Sequence, residues 1–408
     1  MDNFFKVKNL EEITEYTSLF SPVKAQEVNL FKALNRVLYQ NIKADANLPD
    51  FKRSTMDGYA VCARDTYGAS EANPAYLTVK GAVKMGKIPS FSITRGEAAN
   101  ISTGGMLPKR ADSVVMIEHT DISDNTTIEV LKSAAQAQHV IEQGEDYNKG
   151  ETIISAGTVL RAQEIGLLAA FGKNTVKVFK KPKVGIISTG DEIVNIKETP
   201  EHGKIRDVNT YTLFASLKKA GADPISYGIV QDDFDSLFKL CQQVSSETDM
   251  LMLSGGSSVG TKDYTVKVFS SLPNSEILAH GISISPGKPT ILANASGKAL
   301  WGLPGHIVSA MVVFEIIVKK FVKKIAGCKK DKKIYYPFAK LTRNISSAQG
   351  RVDFIRVKTT ANNDKLEATP VLGKSGLLNS IVKADALIKI DKDTEGLNKG
   401  DNVRLIIL

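Results

Sequence analysis

A chain of 408 residues, 42% hydrophobic and 24% charged, is globular and too long for one ordinary core, so three or four packed units are expected, some discontinuous in sequence. No apolar run reaches the roughly 18 residues that span a bilayer, and MDNFFKVKNLEEI lacks a signal-peptide pattern, so no membrane role and a cytoplasmic location are expected. The formal charge of +9 favours anionic partners, but the one dense lysine cluster (Lys319, Lys320, Lys323, Lys324) ends a helix, where cations suit the dipole, and no aromatics interleave with it; small phosphates or oxyanions fit, and nucleic acid is not expected.

EEITEYTSLF (11–20) and QEVNLFKALNRVLY (26–39) carry apolar residues at three-and-four spacing and predict helices. From Leu48 to about Gln143 the texture becomes short strands, among them AYLTVKGAV, SVVMIEHTDI and TTIEVLK, with Gly, Pro and Asn between them: a β-rich insert. LRAQEIGLLAAFG then resumes the helical pattern and stops at a glycine, so residues 1–47 and 144–180 are expected to form one discontinuous helical domain around the insert at 48–143.

From Lys183 apolar runs alternate with amphipathic helices. VGIIS, YTLFASLKKAG, ISYGIV, FDSLFKLCQQV and MLMLSGG together predict a doubly wound parallel α/β domain over 181–327. LPGHIVSA opens the most apolar helix of the chain, with Ile307, Met311, Phe314, Val318 and Phe321 as its buried stripe and Gly327 as its stop. Beyond it only strands recur, as in VDFIRVKTT, ALIKIDK and NVRLIIL, and a small β-barrel or sandwich at 328–408 is the natural closure, with the barrel preferred. The fold class is therefore multidomain α+β and α/β. Cys62, Cys241 and Cys328 match neither a disulfide framework nor a zinc spacing.

In an open α/β sheet, ligands sit beyond the carboxyl ends of the strands. VGIIS runs into Thr189, Gly190, Asp191 and Glu192, ISYGIV into Gln231, Asp232 and Asp233, and MLMLSGG into a loop that reaches Asp263. Asp233, directly before FDSLFKL, reads as a helix N-cap. If Glu192, Asp232 and Asp263 converge, their mutual repulsion requires a cation or raised pKa values, and hard oxygen ligands point to magnesium or a similar ion. SGGSSVG (254–260), with Gly255, Gly256 and Ser258, offers backbone amides and hydroxyls to an anion, yet matches neither a Walker A loop nor a dinucleotide fingerprint. SPGKPTI brackets Lys288 with two prolines, and the Pro304-Gly305 turn presents a helix N-terminus that favours an anion. In the insert, Asp57 sits in a Met-Asp-Gly turn and Thr103 before two glycines. No Ser-His-Asp triad or zinc pattern is present by spacing.

Taken together, LPDFKRSTMDGYAV, STGGMLPKRADSVVMIE, GEDYNKGE, STGDEIV, IVQDD, LSGGSSVGTKDYT, PGKP and LPGHIVS resemble the molybdopterin molybdenumtransferase family, the MoeA proteins and the E domain of gephyrin, with weaker matches at GRVDFIRV and GKSGLLNS. The resemblance implies a four-part homodimeric subunit that converts adenylylated molybdopterin and molybdate to molybdenum cofactor and AMP with a divalent cation. A molybdopterin adenylyltransferase is the implied substrate donor, and molybdoenzymes or their chaperones are the implied acceptors. Carried over residue by residue, Glu192, Asp232 and Asp263 would hold the cation and nucleotide phosphates. Lys288, Ser309, Arg351 and Ser375 would form the molybdate pocket, beside Pro304 and the Gly255, Gly256 and Ser258 loop. Asp57 and Thr103 would contact the pterin end or the partner's cleft, and Asp146 falls on a substrate-binding position.

This chain departs from the family pattern at three places. LPGNPVS is usual where His306 and Ile307 stand, a lysine is usual where Ser285 precedes PGKP, and a Gly-Ser pair is usual where Lys374-Ser375 stands. A gephyrin-like pterin-binding scaffold without turnover is the competing reading. The retained acids argue against it. A molybdopterin adenylyltransferase would share the α/β motifs but needs neither the first 180 residues nor the terminal β unit.

Overall fold

The computed structural model describes residues 7–255, 264–329, 337–362 and 365–408. They fall into two compact units: Met1–Gln40, Ala156–Gly166 and Lys173–Leu408 form the larger, Asn41–Ser155 and Leu167–Gly172 the smaller.

The smaller unit is built on the expected β-rich insert. Its six-stranded sheet runs Ser113–Met116, Gly58–Val61, Glu97–Ile101, Ala75–Ala82, Thr127–Val130, Thr120–Ile122 in spatial order. Both faces are covered: Ala60, Ala99 and Val114 join one apolar cluster, while Tyr59, Val61, Leu77, Ala98 and Val115 join the other. The alternation along Gly58–Val61 follows from the period of two in a strand.

In the larger unit the first predicted helix forms at Leu10–Glu15. Its N-terminus is closed by a capping box in which Asn9 Oδ1 accepts the Glu12 N–H at 2.8 Å and Glu12 Oε2 accepts the Asn9 N–H at 2.9 Å. The second predicted helix is a correction. Ala25–Asn29 is a strand paired antiparallel with Thr175–Phe179, and Leu30–Lys32 is a single 3-10 turn. Asn29 Oδ1 accepts the Phe31 N–H at 3.0 Å and Asn35 sits at φ 61°, so local asparagine chemistry breaks the helical run and the tertiary pairing takes it over. LRAQEIGLLAAFG does form a helix, Ala162–Ala170, followed by Gly172 at φ 66°.

The central sheet contains β1 (Lys183–Thr189), β2 (Asp223–Val230), β3 (Met250–Ser254), β4 (Ser275–His280), β5 (Ile291–Ala295) and β6 (Lys298–Leu303), in the order β2-β1-β3-β6-β5-β4. β2, β1, β3 and β6 are mutually parallel, while β5 alone is reversed, pairing antiparallel with β6 on one side and with the edge strand β4 on the other, which the apolar runs alone did not distinguish. Helices α1 (Asn209–Lys219) and α4 (Ile307–Val313), with its continuation, cover one face; α2 (Phe234–Glu247) and α3 (Tyr264–Ser271) cover the other. The domain is therefore doubly wound. The chain leaves β1 for one side and returns as β3 on the other, so the topological switch point lies between the carboxyl ends of β1 and β3.

The apolar helix after LPGH continues from α4 through a π-helical turn, Phe314–Val318, into α5 (Lys319–Ile325). Its burial is wider than the expected stripe, because Val308, Ala310, Val312, Val313, Ile317 and Val322 are fully buried as well. It runs through the main core, where the Trp301 ring meets Phe321 edge-on at 4.9 Å and Phe20 lies 5.6 Å from Phe321. The helix keeps one partly exposed stripe, Met311, Glu315, Lys319 and Lys323, and reads as apolar over the rest of its circumference.

The last domain is the expected small barrel: β7 (Phe338–Leu341), β8 (Val352–Asn362), β9 (Lys365–Pro370), β10 (Ala386–Ile390) and β11 (Asn402–Ile407) close in the order β8-β9-β7-β11-β10-β8. Ala339, Val357, Ala368, Ile388 and Leu405 fill it. Ile284–Ser285 pairs in parallel with Val352–Asp353, so the segment leading into PGKP is stitched to the barrel.

Candidate active site

The carboxyl ends of β1 and β3 meet backbone to backbone. Gly255 adopts φ 102°, and a Cβ there would lie 2.0 Å from the carbonyl oxygen of Thr189, so only glycine lets the two strand ends converge. Asn209, the first residue of α1, bridges the rim: its Nδ2 donates to Ser254 Oγ at 2.7 Å and to the Gly305 carbonyl at 2.8 Å. Asp207 Oδ1 accepts the Thr210 N–H at 3.1 Å, and Ser188 and Thr210 share a hydroxyl hydrogen bond of 2.9 Å, which fix the start of α1 against β1.

Beyond this rim opens a cleft of about 1210 Å³. One wall is the strand ends, with Thr189, Glu192 and Gly255, and the turn Pro304–Ile307. The other wall belongs to the barrel, with Arg351, Phe354, Arg356 and Ser375. Lys288 reaches the cleft from a pinned loop. Its carbonyl accepts from the N–H groups of Ile282 and Thr290 at 2.9 Å each, and Thr290 Oγ1 donates to the Gly287 carbonyl at 2.7 Å. Gly287 packs so tightly under α4 that a Cβ there would lie 2.5 Å from Val313 Cγ2. The lysine itself is exposed.

The turn that opens α4 is tied to the barrel. His306 Nδ1 shares a hydrogen bond of 2.8 Å with Ser375 Oγ, and the Val308 N–H donates to the Ser375 carbonyl at 3.1 Å. His306 occupies the N-cap position without capping by its side chain. Ser309, one turn in, is 5% exposed and lines the cleft.

Two arginines of the barrel wall differ in their electrostatics. Arg351 is exposed and its Nε donates to Asp353 Oδ1 at 3.0 Å, while Ser347 Oγ donates to Asp353 Oδ2 at 2.8 Å. Arg356 is 9% exposed and its Nη2 donates to the Gly373 carbonyl at 2.7 Å. Its Nε and Nη1 have no hydrogen-bond partner among the described residues. Burial moves its pKa down from the ordinary arginine value, yet a guanidinium stays protonated. Thr189 Oγ1 is likewise buried without a partner among the described residues. A cleft lined by Lys204, Arg206, Lys288, Arg351 and Arg356, with hydroxyls and backbone turns, can hold a multiply charged anion.

Of the site residues expected from sequence, Glu192, Gly255, Lys288, Pro304, Ser309, Arg351 and Ser375 line this one cleft. Gly256, Ser258 and Asp263 lie outside the described residues. Asp232, half-buried just beyond β2, is not among the cleft-lining residues. Asp233 caps α2 as expected: its Oδ1 accepts the Ser236 N–H at 3.0 Å, and that bond holds its carboxyl below the ordinary range. Among the described residues no three His, Cys, Asp or Glu side chains gather as a metal site.

In the smaller unit, Asp57 and Thr103 come together. Asp57 Oδ1 accepts the Thr103 N–H at 2.7 Å and the Thr103 hydroxyl at 3.1 Å, on an exposed surface. Asp146 is exposed in the loop whose backbone bonds back to Leu48. Sequence reasoning missed Asn209 and Arg356. Asn209 carried no motif signal, whereas Arg356 stood inside GRVDFIRV and was passed over for Arg351.

Residues 8–172 match the MoeA N-terminal region (domain I and II), 185–324 a probable molybdopterin binding domain, and 339–408 the MoeA C-terminal region (domain IV). The molybdopterin molybdenumtransferase of Bacillus subtilis is 32% identical, over 93% of this chain and 89% of its own. That of Staphylococcus epidermidis is 31% identical over 94% of this chain and 91% of its own. The crystal structure of a molybdopterin biosynthesis moeA protein from Pyrococcus horikoshii superposes with a TM-score of 0.85 at 31% identity, covering 99% of this chain and all of that one (100%).

Proposed function

The chain belongs to the MoeA family, and we propose that it is a transferase of molybdenum-cofactor biosynthesis that takes adenylylated molybdopterin and molybdate to molybdenum cofactor and AMP. The observation that carries this reading is the cleft itself. Lys288, Ser309, Arg351 and Ser375, drawn from four separate segments, line one space at the switch point of the sheet. A tetrahedral oxyanion needs cationic and hydroxyl donors around it, and a nucleotide-bearing pterin needs the volume beside it.

Lys288 and Arg351 would neutralise the oxyanion, and the hydroxyls of Ser309 and Ser375 would orient it. Asn209 holds the Ser254 end of β3 against Gly305, so the floor of the site is set before substrate arrives. Glu192, at the rim, would accept hydrogen bonds from the substrate or contribute to a cation site. The divalent cation belongs to this proposal through the family resemblance alone, and no step is derived through it. A homodimeric subunit, a cytoplasmic location, a role for Asp57 and Thr103 at the pterin end or the partner's cleft, substrate contact by Asp146, and a molybdopterin adenylyltransferase as donor are parts of the same proposal. No described helix is long and apolar enough to cross a membrane.

The test is AMP release from adenylylated molybdopterin by the purified chain with molybdate and magnesium, beside Glu192→Ala. Molybdate-dependent release by the wild type that drops in the variant supports the reading. Release no higher than in the variant sinks it.

A further inference from the structure

The hydrogen bond between His306 and Ser375 can run in either direction, and the direction decides what the serine offers the cleft. Nδ1 and Oγ lie 2.8 Å apart, and the hydroxyl has no other protein partner among the described residues. A serine hydroxyl carries one hydrogen and two lone pairs. Where Nδ1 is the acceptor, that hydrogen is spent on the imidazole, and Oγ turns only lone pairs to the cleft, which repel an anion. Where Nδ1 carries a hydrogen and donates it, the hydroxyl hydrogen is released and can point at the anion.

Among the described residues, nothing fixes that choice. Which imidazole nitrogen is protonated is set by what the other one bonds. Nε2 of His306 has no protein hydrogen-bond partner there: the ring is exposed, and its Nε2 edge faces Gly376, where an added Cβ would lie 3.9 Å from it. The serine, by contrast, is held. Its carbonyl accepts the Val308 N–H at 3.1 Å, and the Leu377 N–H closes a turn on the Lys374 carbonyl at 3.1 Å, which keeps Oγ beside the ring.

The charges around the imidazole set its response. Lys288 on the PGKP loop, Arg351 and Arg356 on the barrel strand, and Lys204 and Arg206 at the rim line the same cleft, and Lys374 adjoins Ser375. The acids are fewer. Glu192 and Asp207 line the rim, where Asp207 accepts the Thr210 N–H, and Asp353 is engaged by Arg351 and Ser347. An imidazolium in the empty cleft is therefore opposed by its surroundings, and a bound dianion reverses the balance. An imidazolium also donates from both nitrogens, which sets the bond to Ser375 in the direction that the anion needs.

We propose that His306 is a positioning residue that couples oxyanion binding to the uptake of one proton from solvent: the imidazole becomes the imidazolium, Nδ1–H donates to Ser375 Oγ, and the hydroxyl hydrogen turns to the anion. This rests on the reading of the cleft as an oxyanion site and adds to it a proton linkage that an asparagine at this position does not supply. The linkage operates between about pH 8 and about pH 6 and fades above that window, where an imidazole stays neutral.

The experiment measures equilibrium binding of molybdate to the full chain, to His306→Asn and to Ser375→Ala at about pH 8 and about pH 6. The wild type is expected to bind about tenfold more tightly at the lower pH, with calorimetry in buffers of different ionisation heat reading the uptake of about one proton per anion. His306→Asn is expected to lose both the rise and the proton. Ser375→Ala keeps the imidazolium but lacks the hydroxyl, and its rise is expected to be smaller than that of the wild type. The imidazole resonances give an independent readout: the one absent from His306→Asn moves to the imidazolium position when molybdate is added at about pH 7. A merely structural histidine, when replaced, would lower the affinity equally at both pH values, and its resonance would not follow the anion. Equal wild-type affinity at both pH values, a rise of the same size in His306→Asn, or an undiminished rise in Ser375→Ala overturns the inference and leaves the oxyanion reading standing. A wild type that binds no molybdate at either pH overturns both.

Discussion

His306 Nδ1 lies 2.8 Å from the hydroxyl of Ser375, and the N–H of Val308 donates to the carbonyl of the same serine at 3.1 Å. The start of α4 and the Ser375 segment are thus one hydrogen-bonded unit. The histidine acts here as an orienting group for a hydroxyl that faces the cleft. Asparagine, usual at this position in the family, can make the same bond. His306→Asn is therefore expected to change the KM for molybdate by no more than about twofold, while His306→Ala, which frees the serine hydroxyl, weakens it by about fivefold, the equivalent of about 1 kcal/mol. Steady-state AMP release against molybdate concentration checks both. Equal large losses in the two variants would contradict the assignment.

Asn209 ties the Ser254 end of β3 to the Gly305 turn. Asn209→Ala leaves Ser254 Oγ and the Gly305 carbonyl without their donor, at an expected cost of about 1–3 kcal/mol in urea unfolding. Asn209→Asp replaces the donor with an acceptor facing a carbonyl oxygen and is expected to cost at least as much. An Asn209→Asp variant as stable as the wild type would show that the bridge contributes nothing.

The junction of β1 and β3 makes a paired prediction. Gly255→Ala forces a methyl group to within 2.0 Å of the Thr189 carbonyl at φ 102°, whereas at Gly305 the nearest atom to an added Cβ is 3.8 Å away. Gly255→Ala is expected to destabilise by about 2 kcal/mol or more and Gly305→Ala by less than about 1 kcal/mol. Chemical denaturation with both variants reads the difference.

One acid away from the cleft gives a pH prediction with a definite sign. The Arg161 guanidinium pushes the Glu164 carboxyl down to about 2 from its ordinary value near 4.5. A carboxyl whose folded pKa lies below its unfolded one contributes stability above the unfolded value, and that contribution is lost as pH falls from about 4.5 toward about 2. Arg161 is half exposed, so solvent screening reduces the contribution. Glu164→Gln should melt below the wild type at pH 6 and converge on it by pH ~2. A constant gap across that window would place the effect elsewhere.

Much of the fold was legible in the sequence because it rests on local pattern. VGIIS and MLMLS are apolar runs because their strands are buried on both faces, whereas ISYGIV, with Ser226 and Ile229 exposed, belongs to the edge strand. The barrel strands alternate because only one face meets the barrel interior. What failed was non-local. QEVNLFKALNRVLY has helical spacing, yet Ala25–Asn29 pairs with a strand almost 150 positions later, and no window of sequence contains that partner. The same limit applies to Asp57 and Thr103, which were read as two separate turns and form one hydrogen-bonded pair across 46 positions. Arg356 was visible as a residue type, but its importance lies in its unmet hydrogen bonds, which only packing reveals. Lys288, Ser309, Arg351 and Ser375 could be named from motifs; that they line a single cleft needed the fold.

The central claim is that the oxyanion binds at the switch-point cleft, between the strand ends and the barrel. Anomalous diffraction at the molybdenum edge, from crystals of the full chain soaked in molybdate, tests it most directly. A molybdenum peak within hydrogen-bonding reach of Lys288, Arg351 and Ser375 is the expected result. A peak of equal or greater height away from these residues, with the cleft empty, would contradict it.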